Sequence, residues 1–285
     1  LVELGFRNLG SLGMVEPSLI SKKRILVLTP RFPYPSLGGD RLRIYQICRQ
    51  LSTRFELSLL SMCESEEEMD AQIPNDSVFA NVERIFHGKW SRLTGCFRAI
   101  PSRTPIQVGY YRNLSFEKRL QQMACNYDCL LAHLIRMAPY ITQCKVPKVL
   151  EMTDAISMSY LRTVRHAQLI GAALYRLEGS RLLKFEREIA LKCDLNVLVS
   201  EVDRDFLFPS DEASNVLVCS NGVDTKALPF RFRPNSKTII FIGKNSTRPN
   251  MDAILFFQEE VFPLVQTRVP QARFKVIGQI ETEFR

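Results

Sequence analysis

Residues 24–51 read RILVLTPRFPYPSLGGDRLRIYQICRQL, and this stretch decides the fold. It begins with an apolar run at 25–28, which is short enough for a buried parallel strand. A loop with three prolines follows and ends the strand, because proline lacks a backbone donor. Gly38 and Gly39 come next, and Asp40 after them is a residue type that caps helices. Strand, glycine turn and helix together form half of a βαβ unit.

The helix predicted after Asp40 carries an approximate apolar stripe, with its arginines largely off that stripe. The apolar positions are Leu42, Tyr45, Ile47, Cys48 and Leu51, and the arginines are Arg41, Arg43 and Arg49. In open α/β sheets ligands bind beyond the carboxyl ends of the strands, where the glycine turn would lie. Paired glycines let backbone N–H groups approach an anion, and a helix N-terminus favours negative charge. A tight turn without a ligand is the alternative.

Composition and charge describe a folded protein that prefers anionic partners. The chain has 285 residues, 46% of them hydrophobic and 24% charged, which predicts one large or two smaller globular domains. The net charge of +8 favours phosphates, nucleic acid or an anionic membrane surface. No recognised binding module supports nucleic acid. Eight cysteines without a C-x-x-C pair, and three histidines, indicate reduced thiols in a cytoplasmic protein and no zinc site.

Strand-like and helix-like segments alternate through most of the chain, which predicts a doubly wound parallel sheet. The predicted strands are 25–28, 55–61, 81–86, 127–133, 147–152, 194–200 and 215–219, and one long helical region is predicted over 156–192. We place a poorly ordered lead-in at 1–21 and a Rossmann-like domain at 22–227. A second Rossmann-type domain then starts within 228–285 with strand 238–242, a helix from Pro249 and strand 273–277. Fifty residues are few for such a domain, so we expect it to be C-terminally truncated.

The segment Lys89–Arg103 mixes basic and large apolar side chains around the only tryptophan, Trp90. This composition suits a helix that lies on a membrane, with its apolar side in the interface and its cations on lipid phosphates. The alternative is a helix whose apolar side packs on the sheet.

Several motifs, taken in order, resemble the GT-B retaining glycosyltransferases of the family-four type. PRFPYPSLGGDRLR resembles the glycine loop of that family, NGVD at 221–224 its interdomain hinge, and 239–279 the start of its donor domain. The PN-x-DA pattern at 249–253 and GYYR at 109–112 resemble the branch associated with exosortase and PEP-CTERM exopolysaccharide loci. The resemblance implies two Rossmann-like domains, an acceptor-side domain followed by a donor-side domain.

The resemblance also implies roles for particular residues. The glycine loop would face the donor diphosphate and the acceptor, and His133, at the end of a strand, would lie beside the transferred sugar as the catalytic residue. A histidine that only satisfies a backbone carbonyl is the alternative for His133. Cations after the first donor-domain strand would stabilise the departing diphosphate. The implied donor- and acceptor-binding residues are Gly38, Gly39, Asp40, Arg41, Asn221, Lys244 and Arg248. The family's E-x7-E motif would lie beyond Arg285.

The resemblance therefore implies a sugar transferase, with a nucleotide-sugar donor and a glycan or lipid-linked acceptor. No metal and no other cofactor is expected, because we recognise no D-x-D motif and because cations and a helix N-terminus would carry the charge. The protein would be cytoplasmic, peripheral at the inner face of the membrane, and involved in exopolysaccharide or cell-envelope biosynthesis. An incomplete donor domain would leave this chain inactive. The alternatives are a non-catalytic acceptor-binding or membrane-docking fragment of the same fold, and a GT-B-like sugar epimerase.

Overall fold

The computed structural model describes residues 22–166, 168–209, 215–231, 233–245 and 247–278, without the side chains of His166 and Arg248. The lead-in predicted at 1–21 lies outside the described residues. The chain divides into two compact units between Asn221 and Gly222, and each unit is described by itself. No helix in the described ranges is long and apolar enough to cross a membrane.

Seven strands among the described residues form one parallel sheet in the first unit, in the order β3-β2-β1-β4-β5-β6-β7. The strands are β1 (Arg24–Thr29), β2 (Glu56–Cys63), β3 (Asn81–Phe86), β4 (Cys129–His133), β5 (Lys148–Thr153), β6 (Leu195–Leu198) and β7 (Val216–Val218). The predicted doubly wound parallel sheet is confirmed.

Nine α-helices of the described residues accompany this sheet. They are α1 (Gly39–Leu51), α2 (Glu66–Asp70), α3 (Lys89–Ala99), α4 (Ile106–Tyr110), α5 (Leu114–Met123), α6 (Ala138–Ile141), α7 (Ile156–Thr163), α8 (Leu169–Ala190) and α9 (Glu201–Leu207). The long helical region predicted at 156–192 is interrupted, because the chain folds back so that α7 packs on α8. The rings of Tyr160 and Tyr175 lie 5.7 Å apart across this contact.

The core has two apolar clusters, one on each face of the sheet. Side chains alternate along a strand, so Leu26 and Leu28 of β1 lie in one cluster and Ile25 and Val27 in the other. All four are buried, and each fully buried side chain of this size contributes about 1.5–3 kcal/mol. Because both faces are covered, β1 reads as a continuous apolar run rather than an alternating one.

Helix α1 differs from its prediction at both its start and its buried face. The N-cap position is Gly38, and Asp40 lies in the first turn rather than at the cap. Arg43 is 8% exposed whereas Leu42 is 46% exposed, so the predicted stripe was wrong at these two positions. Arg43 is buried because its guanidinium has ionic and hydrogen-bonding partners inside the unit, described below.

The structure of α3 disagrees with one of the two interpretations of segment 89–103, the one in which its apolar side packs on the sheet. Trp90 is 81% exposed and Phe97 is 69% exposed, so packing on the sheet is wrong for these large apolar side chains. The buried residues of α3 are Gly95 and Ala99. A Cβ at Gly95 would lie 2.1 Å from the carbonyl oxygen of Gly109, which shows that α3 and α4 approach each other through their backbones.

The second unit contains the β-α-β succession predicted for it. Strands β8 (Thr238–Ile242) and β9 (Arg273–Ile277) pair in parallel, and α10 (Arg248–Phe256) and α11 (Phe262–Arg268), joined by a π-helical turn, connect them. The rings of Phe257 and Phe274 lie 4.7 Å apart. Within α10, Ile254 is buried whereas Leu255 is exposed.

Candidate functional site

The strand order places a topological switch point in the first unit between β1 and β4. The chain moves outward from β1 through β2 to β3, then returns to the other side of β1 to form β4. In doubly wound sheets this is the position where ligands bind, beyond the carboxyl ends of the strands. The loop after β1 and His133 at the end of β4 therefore flank the expected ligand position.

The loop after β1 is held by two buried aromatic side chains. Phe32 is buried with the guanidinium of Arg84 4.0 Å from its ring centroid. Tyr34 is buried, and its hydroxyl donates to Asp76 at 3.2 Å. Past these anchors Gly38 and Gly39 are exposed. The loop thus has a fixed base and an exposed glycine tip, and its contact with a phosphate remains a prediction.

The two glycines of this tip have different conformational requirements. Gly38 has a φ of +98°, where a side chain is strained. Gly39 is the first residue of α1, and a Cβ built there meets nothing within 4 Å. The turn therefore requires Gly38, while Gly39 leaves open space above the helix N-terminus.

The predicted binding residues Asp40 and Arg41 both form ion pairs within the first unit. Asp40 pairs with Arg31, which joins the two ends of the loop, and Arg41 pairs with Glu68 of α2. Both side chains therefore stabilise the loop and the start of α1, and their contact with a ligand remains a prediction.

His133 is buried, with 2% of its surface exposed. Its Nδ1 lies 2.6 Å from Glu151 Oε2, and because a carboxylate oxygen only accepts, Nδ1 carries the proton. Its Nε2 is buried and has no hydrogen-bond partner among the described residues. A buried polar atom without a partner is costly, which indicates a position where a ligand group would complete the site.

Glu151, near the end of β5, is the carboxylate that orients His133. Burial opposes its charge, but hydrogen bonds from His133 and Arg43 outweigh this and hold the pKa of Glu151 below its ordinary value. Arg43 Nε donates to Glu151 Oε1 at 2.7 Å. The hydroxyl of Thr153 donates to the same carboxylate at 3.0 Å. Glu151 is thus ionised, and both of its carboxylate oxygens accept hydrogen bonds.

Arg43 extends this network from α1 to the last residues of the first unit. Its Nη1 donates to Asn221 Oδ1 at 2.8 Å and its Nη2 to the carbonyl of Cys219 at 2.9 Å. The predicted binding residue Asn221 therefore joins His133 through Arg43 and Glu151. We call His133, Glu151, Arg43 and Asn221 the buried network.

Two strained residues lie one residue after His133 and two residues after Glu151. Leu134 has a φ of +68° and Thr153 a φ of +65°, and positive φ is unusual for a non-glycine residue, above all a β-branched one. Such strain persists only where the surroundings enforce it, and it concentrates at functional sites. The strain at the ends of β4 and β5 supports a functional role for this edge of the sheet.

Acidic side chains nearby stabilise the N-terminus of α7. Glu186 accepts hydrogen bonds from the backbone N–H and the hydroxyl of Ser157, and Asp203 accepts one from the N–H of Ala155 at 3.0 Å. Burial raises the pKa of Glu186 to about 7, although its hydrogen bonds lower it. These carboxylates satisfy backbone donors, which is a structural role.

The tripeptide Asp203-Arg204-Asp205 has the spacing of a metal-binding D-x-D motif, so the expectation that the sequence lacks one was wrong. Asp203 serves α7 and Asp205 pairs with Arg204 at 2.9 Å. Within the ranges that the structure describes, no group of three His, Cys, Asp or Glu side chains is placed to hold a metal ion.

The second unit places Lys244 in the loop between β8 and α10, with its side chain exposed. Arg248 is the first residue of α10, and its side chain lies outside the description. Asn245 between them is buried, and both its amide nitrogen and its amide oxygen lack a partner among the described residues. This loop is therefore a second candidate ligand position, at a helix N-terminus.

The sequence interpretation missed Arg43, Glu151 and Asn245. Glu151 had a visible signal, because it interrupts an apolar strand at 149–152, where a charge is buried only when paired. Arg43 had none, since it follows the polar pattern of an exposed helix face. Asn245 is an ordinary loop residue in sequence.

The fold matches solved GT-B glycosyltransferase structures. The crystal structure of TarM aligns with a TM-score of 0.57 and 10% identity, over 93% of this chain and 73% of TarM. A structure described as "Trehalose-6-phosphate from E. coli bound with UDP-2-fluoro glucose" aligns with a TM-score of 0.54 and 12% identity, over 91% of this chain and 65% of that one. OtsA without ligand aligns with a TM-score of 0.52 and 10% identity, over 91% of this chain and 66% of OtsA.

These likenesses establish the architecture, because sequence identity is low throughout. No protein-family model matches the sequence, and no curated protein matches it. The chain spans about two thirds of the length of OtsA and of the E. coli structure. The class defined here is therefore the GT-B fold, with a buried histidine–carboxylate–arginine network at the switch point of its first unit.

Proposed function

We propose that the protein is a glycosyltransferase that moves a sugar from a nucleotide-sugar donor to a glycan or lipid-linked acceptor. The observation that carries this proposal is His133 at the switch point, oriented by Glu151 and with no partner for Nε2 in the part of the chain that the structure describes. Two of the similar structures support it further. The E. coli structure is described as bound with UDP-2-fluoro glucose, and both it and TarM have the GT-B architecture.

In this proposal His133 is the residue that contacts the transferred sugar. With its proton on Nδ1, its Nε2 accepts a hydrogen bond, and sugar hydroxyls are suitable donors. Glu151 fixes the ring orientation and Arg43 keeps Glu151 ionised, so both are positioning residues. Gly39 lets the backbone at the start of α1 approach the acceptor or the phosphates.

The second unit contributes the donor side. A nucleoside diphosphate leaving group gains negative charge as the glycosidic bond breaks, and fixed cations stabilise that charge. Lys244, the N-terminus of α10 and Arg248 are the groups that we assign to it. Buried Asn245 adds an amide nitrogen and an amide oxygen that have no hydrogen-bond partner among the described residues and are free to bind the donor. Transfer with retention of anomeric configuration, without a bound metal, is part of the proposal.

The biological setting is a further part of the proposal. The acceptor would be built into an exopolysaccharide or the cell envelope, and the protein would work in the cytoplasm, peripheral at the inner face of the membrane. Its acceptor-side unit would extend to the boundary that we predict after residue 227.

A transfer assay tests the proposal. The protein expressed from its complete open reading frame is incubated with UDP- and GDP-sugars labelled in the sugar, together with a lipid extract or a membrane glycan fraction. We expect labelled glycan or glycolipid and an equal amount of released nucleotide, and NMR of the product should show the donor's anomeric configuration. Absence of transfer with every donor, in protein that is shown to be folded, would contradict the proposal.

The same assay separates the alternatives. A non-catalytic fragment of this fold would bind acceptor without releasing nucleotide. An epimerase would instead release free nucleotide and sugar without any acceptor present. Transfer that is lost in His133→Asn but retained in an Arg49→Met control on the exposed side of α1 would support the assignment of His133.

A further inference from the structure

Helix α3 is attached to the first unit through its small residues, and its largest side chains remain exposed. Gly95 and Ala99 form its buried face, and the close approach of Gly95 to Gly109 fixes it on α4. Arg92 adds a hydrogen bond to the hydroxyl of Tyr110 of α4 at 2.9 Å. The large apolar side chains Trp90 and Phe97 remain exposed, and their exposure calls for an explanation outside the core.

The outer face of α3 is an apolar ridge. Trp90, Leu93, Phe97 and Ile100 recur at helical spacing, and all four are exposed. Scattered exposed apolar residues are ordinary, but a row of four on one helix face is not.

Helix α8 carries a second row of exposed apolar side chains. Its Arg181 donates to the carbonyl of Ile100 at 3.1 Å, so the two helices meet at the end of α3. Leu177 and Leu174 lie one and two turns before Arg181 on the same side of α8, and both are exposed. Ile170 continues the row and is also exposed. We call these seven apolar residues of α3 and α8 the α3–α8 surface.

The exposed charged side chains of the two segments that carry the α3–α8 surface are basic, whereas Arg92 is partly buried and pairs with Glu64. The segment 89–103 contains four basic residues and no acidic residue, and the segment 156–177 contains three basic residues and no acidic residue. Lys89, Arg98, Arg103 and Arg176 are exposed. Such a border is complementary to a negatively charged partner.

A cavity of about 460 Å³ opens beside the ridge on the polar side of α3. Ser91, Thr94 and Arg98 of α3 line it, together with Arg112. The hydroxyls of Ser91 and Thr94 donate to backbone carbonyl groups, and Arg112 pairs with Glu117. Arg98 is exposed, and its guanidinium is the group of this cavity that we assign to phosphate oxygens. The cavity thus offers room for a phosphate head group next to an apolar ridge.

We propose that the α3–α8 surface docks on an anionic phospholipid bilayer, with the apolar ridge in the interface and the basic residues on lipid phosphates. Tryptophan favours the boundary between water and hydrocarbon, where its ring and its N–H are both accommodated. A second copy of the chain fits less well, because a symmetric contact would bring the same cations together. Nucleic acid would use the cations but leave the apolar ridge without a partner. The docking surface does not depend on sugar transfer.

Trp90 is the only tryptophan and therefore reports directly on this surface. The full chain is mixed with vesicles of pure phosphatidylcholine or of equal parts phosphatidylcholine and phosphatidylglycerol, at low and high salt. We expect the emission of Trp90 to shift to the blue, and the protein to float, with the anionic vesicles at low salt only. Inorganic phosphate and glycerophosphate in place of vesicles should leave the emission unchanged.

A matched pair of double variants locates the contact. Phe97→Ser with Arg98→Glu alters the α3–α8 surface, whereas Leu191→Ser with Lys192→Glu makes the same kinds of change at exposed positions after α8. We expect the first to reduce vesicle partitioning tenfold or more, since it removes an inserted ring and reverses a charge, and the second to partition like wild type. Both keep Trp90, and equal melting temperatures establish that both are folded.

Three results would overturn the proposal. Equal partitioning of both double variants would show that vesicle binding does not depend on the α3–α8 surface. An unchanged Trp90 emission in protein that floats would do the same. Concentration-dependent self-association that is lost in the Phe97→Ser, Arg98→Glu variant, without any vesicle binding by wild type, would identify a second copy as the occupant.

Discussion

Arg43 and Glu151 form the most deeply buried ion pair of the candidate site, and each depends on the other. Their side chains are 6% and 1% exposed. Removing one partner of such a pair leaves an uncompensated charge out of water, which is more damaging than removing both. Arg43 therefore belongs to the stability of the fold as well as to the orientation of His133.

We expect Arg43→Met to lower the free energy of unfolding by about 3–5 kcal/mol, because Glu151 loses its cation. Urea denaturation measures this change. Arg49→Met, on the exposed side of the same helix, is the control and should stay within about 0.5 kcal/mol of wild type. The double variant Arg43→Met, Glu151→Gln should recover part of the loss. Equal urea midpoints for Arg43→Met and Arg49→Met would show that the pair of Arg43 and Glu151 contributes nothing to stability.

Two substitutions of His133 separate its two nitrogen atoms. Asparagine places an amide N–H near the position of Nδ1 and can still donate to Glu151, but it has no group at the position of Nε2. We expect His133→Asn to melt close to wild type and to turn over about tenfold more slowly or worse, because one hydrogen bond to the sugar is lost. Turnover and melting temperature are measured on the same preparations. Wild-type turnover in folded His133→Asn would assign the histidine to packing alone.

At the scale of elements, the glycine tip before α1 offers a comparison between neighbouring residues. Gly38→Ala should lower the melting temperature, because Gly38 needs a positive φ. Gly39→Val should leave it nearly unchanged, since a side chain there enters open space. If that space receives the ligand, Gly39→Val should cut turnover. Normal turnover in Gly39→Val would mean that the glycine pair serves the turn only.

The N-terminus of α7 makes stability depend on pH through Glu186. Burial raises its folded pKa to about 7 from an ordinary value of 4.5, so between these values the unfolded chain has lost a proton that the folded chain keeps. The contribution of Glu186 to stability is therefore full below about pH 4.5 and is lost as the pH rises through about 7. We expect Glu186→Gln to remove this decline. Urea midpoints of both proteins from pH 4 to pH 8 give the difference, and parallel curves would contradict it.

Much of the element order was predictable, and the reasons differ between elements. Apolar runs such as 25–28 give β1 because both faces of the sheet are covered. The break between α7 and α8 was not predictable, because it depends on the packing of one helix on the other. The site was predictable only in part: His133 and the glycine tip follow strand ends, whereas Arg43 is buried through partners more than 100 residues away in sequence.

At the scale of the whole molecule, the first residues of the second unit, just after the division at Asn221, should be the first to be cleaved by a protease. Residues 222–231 are exposed and contain neither helix nor strand. Lys226 and Arg231 lie in this segment, and exposed Arg233 lies just beyond it. We expect brief trypsin digestion to release a stable N-terminal fragment that ends at one of these residues, identified by intact mass. First cuts within α8 or within the strands of the first sheet would contradict the division into two units.

The contact between Gly95 and Gly109 has an evolutionary consequence. At this point α3 meets α4 through main-chain atoms, so neither glycine has room for a side chain. Sequence change at the exposed apolar residues of α3 therefore alters the outer face of the helix without disturbing this contact. The glycine pair itself cannot vary in this way. Any larger residue at Gly95 or Gly109 would force α3 and α4 apart, whatever side chains the outer face of α3 carried.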